Sequence, residues 1–405
     1  MPKKDPRLAE LQHWLTTGLG WRVERLAPAS ADASFRRYFR VWRKGGSCVV
    51  MDAPPDKEDS APYLKVSRLL ESVGIHVPHV YESDLASGFI VLEDLGDVQY
   101  LSRLQAGGDA NQLYGDALNT LARLQINGLE AAQQLQPYDR APLSRELGLM
   151  PEWFLERHLR LKLTPEERAL ITVTFEFLMS EVLDQPTVFV HRDYHSRNLM
   201  VTPANNPGVL DFQDALRGPI GYDLASLLKD CYIAWPRAQV ESWLRAYRRA
   251  VQGRDLDVGV DDQQFIRWFD LVGVQRHLKV LGIFARLWYR DGKSGYLADL
   301  PLTLDYVLDT CARYVELTEF VRWLELRIVP RVAPANARVL ARLPQRNATP
   351  TRKAETKPKP KPKPKPKAKA SQSQSQSQSQ SQSQSARPRG APNDRPQRHV
   401  VLKAT

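Results

Sequence analysis

The sequence predicts an α+β protein of two lobes, the first small and strand-rich and the second larger and helical, followed by a disordered basic tail. Short apolar runs separated by glycine turns extend to about residue 96, and long amphipathic periods follow to about residue 330. The remaining residues are dominated by Lys-Pro and Ser-Gln repeats, which cannot bury a core. We therefore place the boundaries at residues 1–96, 97–330 and 331–405.

Turn residues divide the first lobe into its elements. A helix is expected over 8–19, where leucines share one face and Gly20 follows, and a second helix over 62–73. Gly46 and Gly88 supply turn chemistry between neighbouring apolar runs. Strands are therefore expected at residues 21–26, 37–42, 47–52, 78–82 and 89–93.

The second lobe is predicted from apolar positions with a helical period. Helices are expected at residues 111–126, 165–183, 222–231, 237–251, 261–288 and 302–321. Among them lies a short strand at 188–190, followed by a hairpin of 199–201 and 208–210. This plan places a small strand-rich lobe beside a helical one, with a cleft between them where ligands preferentially bind.

The net charge of +11 is unevenly distributed along the chain. Residues 331–405 contain 18 Lys+Arg and 2 Asp+Glu, so the tail carries the excess and the remainder is mildly acidic at −5. The lobes are therefore not expected to bind polyanions through net charge. Three scattered cysteines fit a reducing compartment, and no run approaches the length of a membrane span, so we expect a cytoplasmic protein.

The tail has two repetitive segments, in which Lys-Pro alternates over 357–367 and Ser-Gln over 371–385. The Lys-Pro run is typical of an extended, self-repelling polyproline II segment. It is either a solvated tail or an electrostatic tether to nucleic acid, an anionic membrane or an acidic protein. We expect catalysis not to need it, so that a chain ending near Pro330 keeps its activity.

The most informative motif is H-R-D-x-x-x-x-N at residues 191–198, the pattern of a kinase catalytic loop. Asp193 would accept the proton of an attacking hydroxyl, and Asn198 would reach a Mg²⁺ ion. After the short hairpin, Asp211 would hold the metal ions that bridge the phosphates of ATP. An isolated H-x-D means little, but both motifs in their strand context favour phosphoryl transfer.

The segment 30–37 lies between the first two strands, where a kinase covers the nucleotide phosphates. It lacks a glycine triplet, but Ser30 and Ser34 could donate hydrogen bonds to phosphate. Arg36 and Arg37 fall on opposite faces of the following strand, so only one can point into the cleft. The alternative is an ordinary polar hairpin.

The strand over 47–52 has Met51 where a protein kinase carries the lysine that pairs with the phosphates. Three explanations are open: Arg36 or Lys65 substitutes, the metal ions suffice, or the strand register differs. The glutamate that normally pairs with that lysine is unassigned, with Glu58 and Glu71 as candidates.

Other polar residues have predicted roles around the cleft. Glu93 and Leu95 end the first lobe and would pair with the adenine edge, unless this is an ordinary strand end. Asp223 and His191 are expected to support the catalytic loop. Arg217 and His195 are candidate substrate contacts, and for Arg217 the alternative is a surface ion pair.

These motifs resemble the aminoglycoside phosphotransferase superfamily, with D-F-Q-D at 211–214 in place of D-F-G. More narrowly, four phrases over about residues 8–328 resemble the kinases of N-acetylmuramate and N-acetylglucosamine. They are S-A-D-A-S-F-R-R-Y at 30–38, V-M-D-A-P-P at 50–55, L-E-D-L-G at 92–96 and R-G-P-I-G-Y-D-L-A-S-L at 217–227.

The resemblance implies a kinase-like fold and ATP-dependent phosphorylation of the anomeric C1 hydroxyl of an amino sugar. It further implies an α-1-phosphate product and a place in peptidoglycan recycling, upstream of UDP-N-acetylmuramate. The resemblance also accounts for Met51, because the family motif that matches residues 50–55 has methionine at this position. Arg217 then becomes a candidate partner for the lactyl carboxylate of N-acetylmuramate.

Rival functions remain open at this point. One rival is a kinase of an aminoglycoside or of another hydroxyl metabolite. An aminoglycoside site needs a strongly acidic lining, and the two lobes are only mildly acidic. A protein kinase is disfavoured by the absence of an A-P-E segment after Asp211, and a pseudokinase-like binding module by intact Asp193, Asn198 and Asp211. The basic tail leaves a second, nucleic-acid-associated function possible.

Overall fold

The first lobe of the computed structural model is a five-stranded antiparallel sheet with the strand order β1-β2-β3-β5-β4. The structure describes residues 5–31 and 35–341, without the side chains of Ser30 and Ala31. The strands are β1 Val23–Ala31, β2 Arg37–Arg43, β3 Gly46–Asp52, β4 Val80–Asp84 and β5 Phe89–Glu93. The predicted strand-rich lobe is confirmed, although β1 begins and ends later than expected.

Helices cover both faces of this sheet, which explains why β5 is apolar at successive positions. Helix α1 (Pro6–His13), continued by a π-helical turn, packs Leu11 and Leu15 on Phe39, Val41 and their neighbours. Helix α2 (Ala61–Ser72) packs on the opposite face, in the large core shared with the second lobe. Because successive side chains of a strand point to opposite faces, β5 contributes to both cores.

The second lobe is helical, as predicted. Its helices are α3 Tyr100–Gln105, α4 Ala110–Asn127, α5 Leu129–Ala132, α6 Arg140–Leu149, α7 Pro165–Leu183, α8 Gly221–Leu228, α9 Arg237–Val251, α10 Asp262–Tyr289, α11 Leu300–Cys311, α12 Thr318–Trp323 and α13 Val329–Leu340. The expected helix over 302–321 is divided, because α11 ends at Cys311 and a 3₁₀ turn precedes α12. Local signals set several starts; Thr164 and Glu167 form a reciprocal capping box before α7.

Helix α10 is the central element of the second lobe. It packs against α6, α7, α8 and α11 and is buried along most of its length. A helix that is apolar on all sides is stable only inside a protein, and α10 meets that description except for a few charged residues near its middle. Within residues 5–31 and 35–341, no helix is long and apolar enough to cross a membrane.

Helix α13 corrects the predicted start of the tail. Its side chains Val332, Ala335 and Val339 are buried against the core, so the folded part reaches Ala341 rather than Pro330. A chain ending near Pro330 would lose this packing, and the end point for a tail deletion moves to Ala341. The two repetitive segments lie outside the described residues.

The buried histidine of α10 makes stability depend on pH. Burial lowers the pKa of His277 to about 3, while its Nε2 donates to the carbonyl of Lys229 at 2.9 Å. An unfolded histidine has a pKa of about 6.5, so between these values the unfolded state binds more protons. Stability should therefore fall as the pH falls below about 6.5, by about 1.4 kcal/mol per pH unit for such a group.

Replacing His277→Gln should reduce this loss, since glutamine keeps an amide donor but takes no proton. We expect the variant to lose roughly 2 kcal/mol less than the parent between pH 7 and 5, measured by urea unfolding at both values. The control His13→Gln changes an exposed side chain on α1 and should behave like the parent. Equal losses in parent and His277→Gln would contradict the expectation.

Candidate active site

The catalytic loop begins where β6 (Thr187–Val190) ends, and a side chain of α8 holds its first residues through hydrogen bonds. β6 pairs with β9 (Leu216–Pro219), which leads directly into that helix. The buried carboxylate of Asp223 accepts the backbone N–H groups of His191 at 2.7 Å and Arg192 at 3.0 Å. Burial raises the pKa of Asp223 to about 7, although both hydrogen bonds oppose the rise.

Further contacts secure both halves of the loop. Asp230, just after α8, accepts the backbone N–H of Ser196 at 3.0 Å. The hydroxyl of Tyr194 donates to the carbonyl of Ala117 at 2.8 Å, which ties the loop to α4. Arg192 has a φ of 77°, a conformation that is uncommon for a residue with a side chain. Strain of this kind persists only where surrounding contacts maintain it, as they do here.

The three residues predicted for chemistry converge at the end of this loop. The amide nitrogen of Asn198 donates to the carbonyl of Asp193 at 3.0 Å and to Asp211 Oδ2 at 3.4 Å. Asp211 follows the β7–β8 hairpin (Leu199–Met200 and Gly208–Val209) and has a φ of 62°. Gln213 donates to Asp211 Oδ1 at 2.8 Å, so the residue in place of the glycine of D-F-G orients the carboxylate.

Asn198 and Asp211 suit a magnesium ion that is shared with phosphate. Because the amide nitrogen of Asn198 is engaged, its Oδ1 is left to act as a ligand. Mg²⁺ typically takes one or two carboxylates and completes its shell with phosphate oxygens and water. Within the described part of the chain, no group of three or more His, Cys, Asp or Glu could hold a metal ion.

Positive charges surround Asp193. Burial by itself raises the pKa of this carboxyl, but Lys279, His195, Arg276 and Arg192 together hold it below its usual value. Asp193 is therefore ionised at neutral pH and available as a proton acceptor.

A cleft of about 440 Å³ opens between the lobes beside Asn198 and Asp211. Glu93 and Leu95, predicted to meet the adenine edge, both line it. Apolar side chains from the two lobes form its walls, namely Val49, Leu92, Met200 and Leu210. The cleft thus has apolar wall residues next to a pair of candidate metal ligands, an arrangement that suits a nucleotide.

The structure favours one of the three explanations for Met51. Met51 is fully buried in the core, two residues from the cleft-lining Val49 on β3, so the strand register is the expected one. Arg36 pairs with Glu58 at 3.4 Å. Burial lowers the pKa of Arg36, but Tyr38, Glu58 and Asp211 raise it, and the net pKa is above its usual value. The effect of Asp211 indicates that the guanidinium lies near this carboxylate.

Lys65 is directed elsewhere, since its ammonium donates to the carbonyl of Gln134 at 2.5 Å. Glu58 also accepts the backbone N–H of Phe35 at 3.1 Å, so it anchors the end of the loop that precedes β2. Arg36, with Glu58 as its partner, is therefore the candidate for the role of the protein-kinase lysine, and this role stays a prediction. Ser34 lies outside the described residues, as does the side chain of Ser30.

Comparison with known proteins places this site in a family. A sequence model of the phosphotransferase enzyme family matches residues 25–259, which include the catalytic loop and the metal segment. The chain belongs to the phosphotransferase enzyme family.

Relatives of this phosphotransferase share most of its length. A protein of Pseudomonas aeruginosa is 45% identical over 326 residues, which cover 78% of this chain and 95% of that protein. A protein of Neisseria meningitidis is 46% identical over 315 residues, which cover 77% and 93%. Both are named N-acetylmuramate/N-acetylglucosamine kinase. The resemblance inferred from the sequence is confirmed.

Solved structures agree on the fold. A choline kinase of Streptococcus pneumoniae has a TM-score of 0.53 at 12% identity, covering 76% of this chain and 99% of that chain. An ADP-bound aminoglycoside phosphotransferase has a TM-score of 0.51 at 16% identity, covering 75% and 98%. These likenesses confirm the two-lobed kinase-like fold and, at such identities, speak for the fold alone.

The remaining predicted residues of the phosphotransferase lie as follows. His191 is buried, and its Nδ1 accepts the backbone N–H of Asp193 at 3.2 Å. Burial lowers the pKa of His191 to about 4, so it supports the loop as a neutral ring. His195 lies edge-on to Tyr232, with ring centroids 5.5 Å apart. Arg217 donates to the side chain of Gln133, and its role at the substrate stays a prediction.

Sequence reasoning missed the residues that α10 and α6 bring to the site. Lys279 contacts Glu146 at 3.0 Å, Glu146 also pairs with Arg192, and Arg276 lies beside Asp193. A signal was present, because Arg276 and Lys279 interrupt the middle of a long apolar helix. Charged residues are almost never fully buried unless they are paired, so such an interruption indicates a functional or ion-paired cluster.

Removing the charge of Arg36 tests its assignment to the nucleotide phosphates. We expect Arg36→Gln to lower kcat/KM for the phosphoryl donor by about 10- to 100-fold, because charge-assisted hydrogen bonds contribute about 1.5–3 kcal/mol. Arg36→Lys should recover part of the loss. Steady-state kinetics with varied donor concentration measures both effects, and thermal melting shows that the variants are folded.

The control is Arg22→Gln, an exposed arginine just before β1, which should leave the kinetics unchanged. The assignment is wrong if Lys65→Gln abolishes donor binding while Arg36→Gln behaves like the parent.

Proposed function

We propose that this phosphotransferase transfers the γ-phosphoryl group of ATP to the anomeric C1 hydroxyl of N-acetylmuramate and of N-acetylglucosamine. The products would be ADP and the sugar α-1-phosphate, in peptidoglycan recycling in the cytoplasm. The observation that carries the proposal is the match, over nearly their whole length, to relatives named N-acetylmuramate/N-acetylglucosamine kinase. The C1 position and the pathway follow from the family resemblance of the sequence.

The nucleotide would lie in the cleft between the lobes. Val49, Leu92, Met200 and Leu210 offer apolar surface to the purine, and Glu93 and Leu95 lie at its edge. Arg36, held by Glu58, would face the phosphates. Asn198 Oδ1 and the Asp211 carboxylate would hold Mg²⁺, whose charge would stabilise the negative charge of the phosphates.

Asp193 would orient the sugar hydroxyl and take its proton as the oxygen bonds to phosphorus. A low pKa makes Asp193 a weak base in the ground state, so its main contribution is the alignment of the nucleophile. This agrees with phosphoryl transfer, in which catalysis is mostly positioning and charge stabilisation.

Aromatic side chains beside the loop could receive the sugar. Tyr232 packs on His195 and lies 6.3 Å from the ring of Phe284, which lies 5.4 Å from Tyr296. Aromatic rings offer apolar faces with a polar rim, which suits a pyranose. The cations around Asp193 disfavour the rival aminoglycoside substrates, which are themselves cationic.

The proposal is tested by offering ATP and a panel of acceptors to the full chain. We expect N-acetylmuramate and N-acetylglucosamine to be phosphorylated and aminoglycosides to be poor acceptors, with NMR assigning the phosphate to C1. Phosphorylation of another carbon would contradict the anomeric proposal, and preference for an aminoglycoside would replace the substrate class.

The role of Asp193 is tested by Asp193→Asn. Loss of the proton acceptor should reduce kcat by about 100- to 10,000-fold, the usual range for general acid–base catalysis, while nucleotide binding by calorimetry persists. Asp184→Asn, an exposed residue after α7, is the matched control and should retain parental turnover. Parental turnover in Asp193→Asn would remove this residue from the mechanism.

A further inference from the structure

Arg276, in the middle of α10, is a buried arginine without an ion-pair partner. The residue is only 5% exposed. Within the described part of the chain, no carboxylate lies within the 4.0 Å of an ion pair with it. Its guanidinium donates from Nη1 to Cys231 Sγ at 3.9 Å, and a thiol sulfur is a weak acceptor.

The neighbouring buried cations are all neutralised. Arg192 and Lys279 share the carboxylate of Glu146, and Lys279 also donates to the hydroxyl of Tyr222 at 3.0 Å. Lys229 pairs with Asp270 at 2.8 Å. A buried charge without a directly paired carboxylate is costly, so an arginine kept in this state near Asp193 points to a ligand that completes it.

Arg276 has donors left for a ligand. The residue keeps a small exposed fraction, and its hydrogen bond to Cys231 uses one guanidinium nitrogen. A guanidinium carries several further N–H donors in a fixed fork. Burial lowers the pKa of Arg276, but Cys231, Tyr222, Asp193 and Asp230 outweigh this and raise it, so the guanidinium is charged and close to the catalytic loop.

The surroundings match the space left for an acceptor sugar. Cys231, which Arg276 contacts, directly precedes Tyr232, whose ring packs on His195 and near Phe284. Phe284 lies later on α10 than Arg276 and belongs to the aromatic cluster proposed to receive the sugar. Arg276 thus contacts the residue that precedes Tyr232 and acts electrostatically on Asp193.

We propose that Arg276 binds the lactyl carboxylate of N-acetylmuramate, a contact that N-acetylglucosamine cannot make because it lacks the lactyl group. The inference rests on the proposed function. A guanidinium presents parallel N–H donors that match the two oxygens of a carboxylate. Arg276 thereby takes the role first predicted for Arg217, whose guanidinium is engaged by Gln133.

Two other cations near the site are less suited to this role. The guanidinium of Arg197 lies 3.5 Å from the ring centroid of Tyr232, and the residue lines the nucleotide cleft. Lys279 is held by Glu146 and Tyr222. Of the lysine and arginine side chains that lower the pKa of Asp193, Arg276 is the one without an ion pair among the described residues.

The test compares the two sugars in one protein. In the full chain, Arg276→Gln should lower the ratio of kcat/KM for N-acetylmuramate to kcat/KM for N-acetylglucosamine by about 10- to 100-fold, chiefly through KM for N-acetylmuramate. The ratio removes any effect of the lost charge on Asp193, because both sugars share that step. Arg276→Lys keeps a charge but not the paired donors, and should give an intermediate ratio.

The matched control is Arg286→Gln, which changes a half-buried arginine later on α10 and should leave the ratio at its parental value. An unchanged ratio in Arg276→Gln, with both sugars slowed equally or neither slowed, would overturn the inference and assign Arg276 to phosphoryl transfer or to structure. If Arg276→Gln does not fold, Arg276→Lys decides, and a parental ratio there rejects the paired contact. A parent chain that phosphorylates neither sugar would instead overturn the proposed function, and the inference with it.

Discussion

The buried carboxylate of Asp223 is the contact on which the geometry of the active site depends. It receives the backbone N–H groups of His191 and Arg192, just before the residue that would meet the acceptor hydroxyl. These donors would otherwise be buried without partners, at a cost of several kcal/mol in an apolar setting. One carboxylate therefore holds the start of the loop on α8, and the uncommon backbone conformation of Arg192 becomes tolerable.

Charge balance around Asp193 follows from that anchoring. A carboxylate this enclosed would tend to become protonated, yet Lys279, Arg276 and Arg192 keep its pKa low. Glu146 neutralises two of these cations, which prevents the accumulation of uncompensated positive charge. The third, Arg276, keeps its charge beside the proposed acceptor site. The arrangement places an ionised carboxylate, the proposed base, near the arginine proposed to bind an anionic group of the substrate.

The cation proposed to contact the nucleotide phosphates comes from a different position in the first lobe than it does in a protein kinase. Met51 is buried in the core at the position predicted for the strand lysine. The proposed phosphate cation is instead Arg36, just before β2, which pairs with Glu58 in the segment that precedes α2. In this proposal the charge comes from outside β3, so a buried methionine there is compatible with phosphoryl transfer.

Local patterns in the sequence were enough to predict the fold class and the convergence of the three candidate reacting groups. Asp193, Asn198 and Asp211 are separated only by one loop and one hairpin, so their convergence follows from short-range turn and strand signals. The lobe boundary near Gly96 and most helices followed from periodicity. The start of the tail did not, because the burial of α13 depends on a distant surface.

Only the tertiary structure decided which charges meet at Asp193. Arg276 and Lys279 are far along the chain from the catalytic loop, and their approach depends on the packing of α10 against α8 and α6. The same packing orients Arg276 toward Cys231, while Arg217, close to the metal segment in sequence, faces Gln133. Sequence spacing determines contacts within a loop, whereas contacts between distant elements depend on how whole helix faces pack.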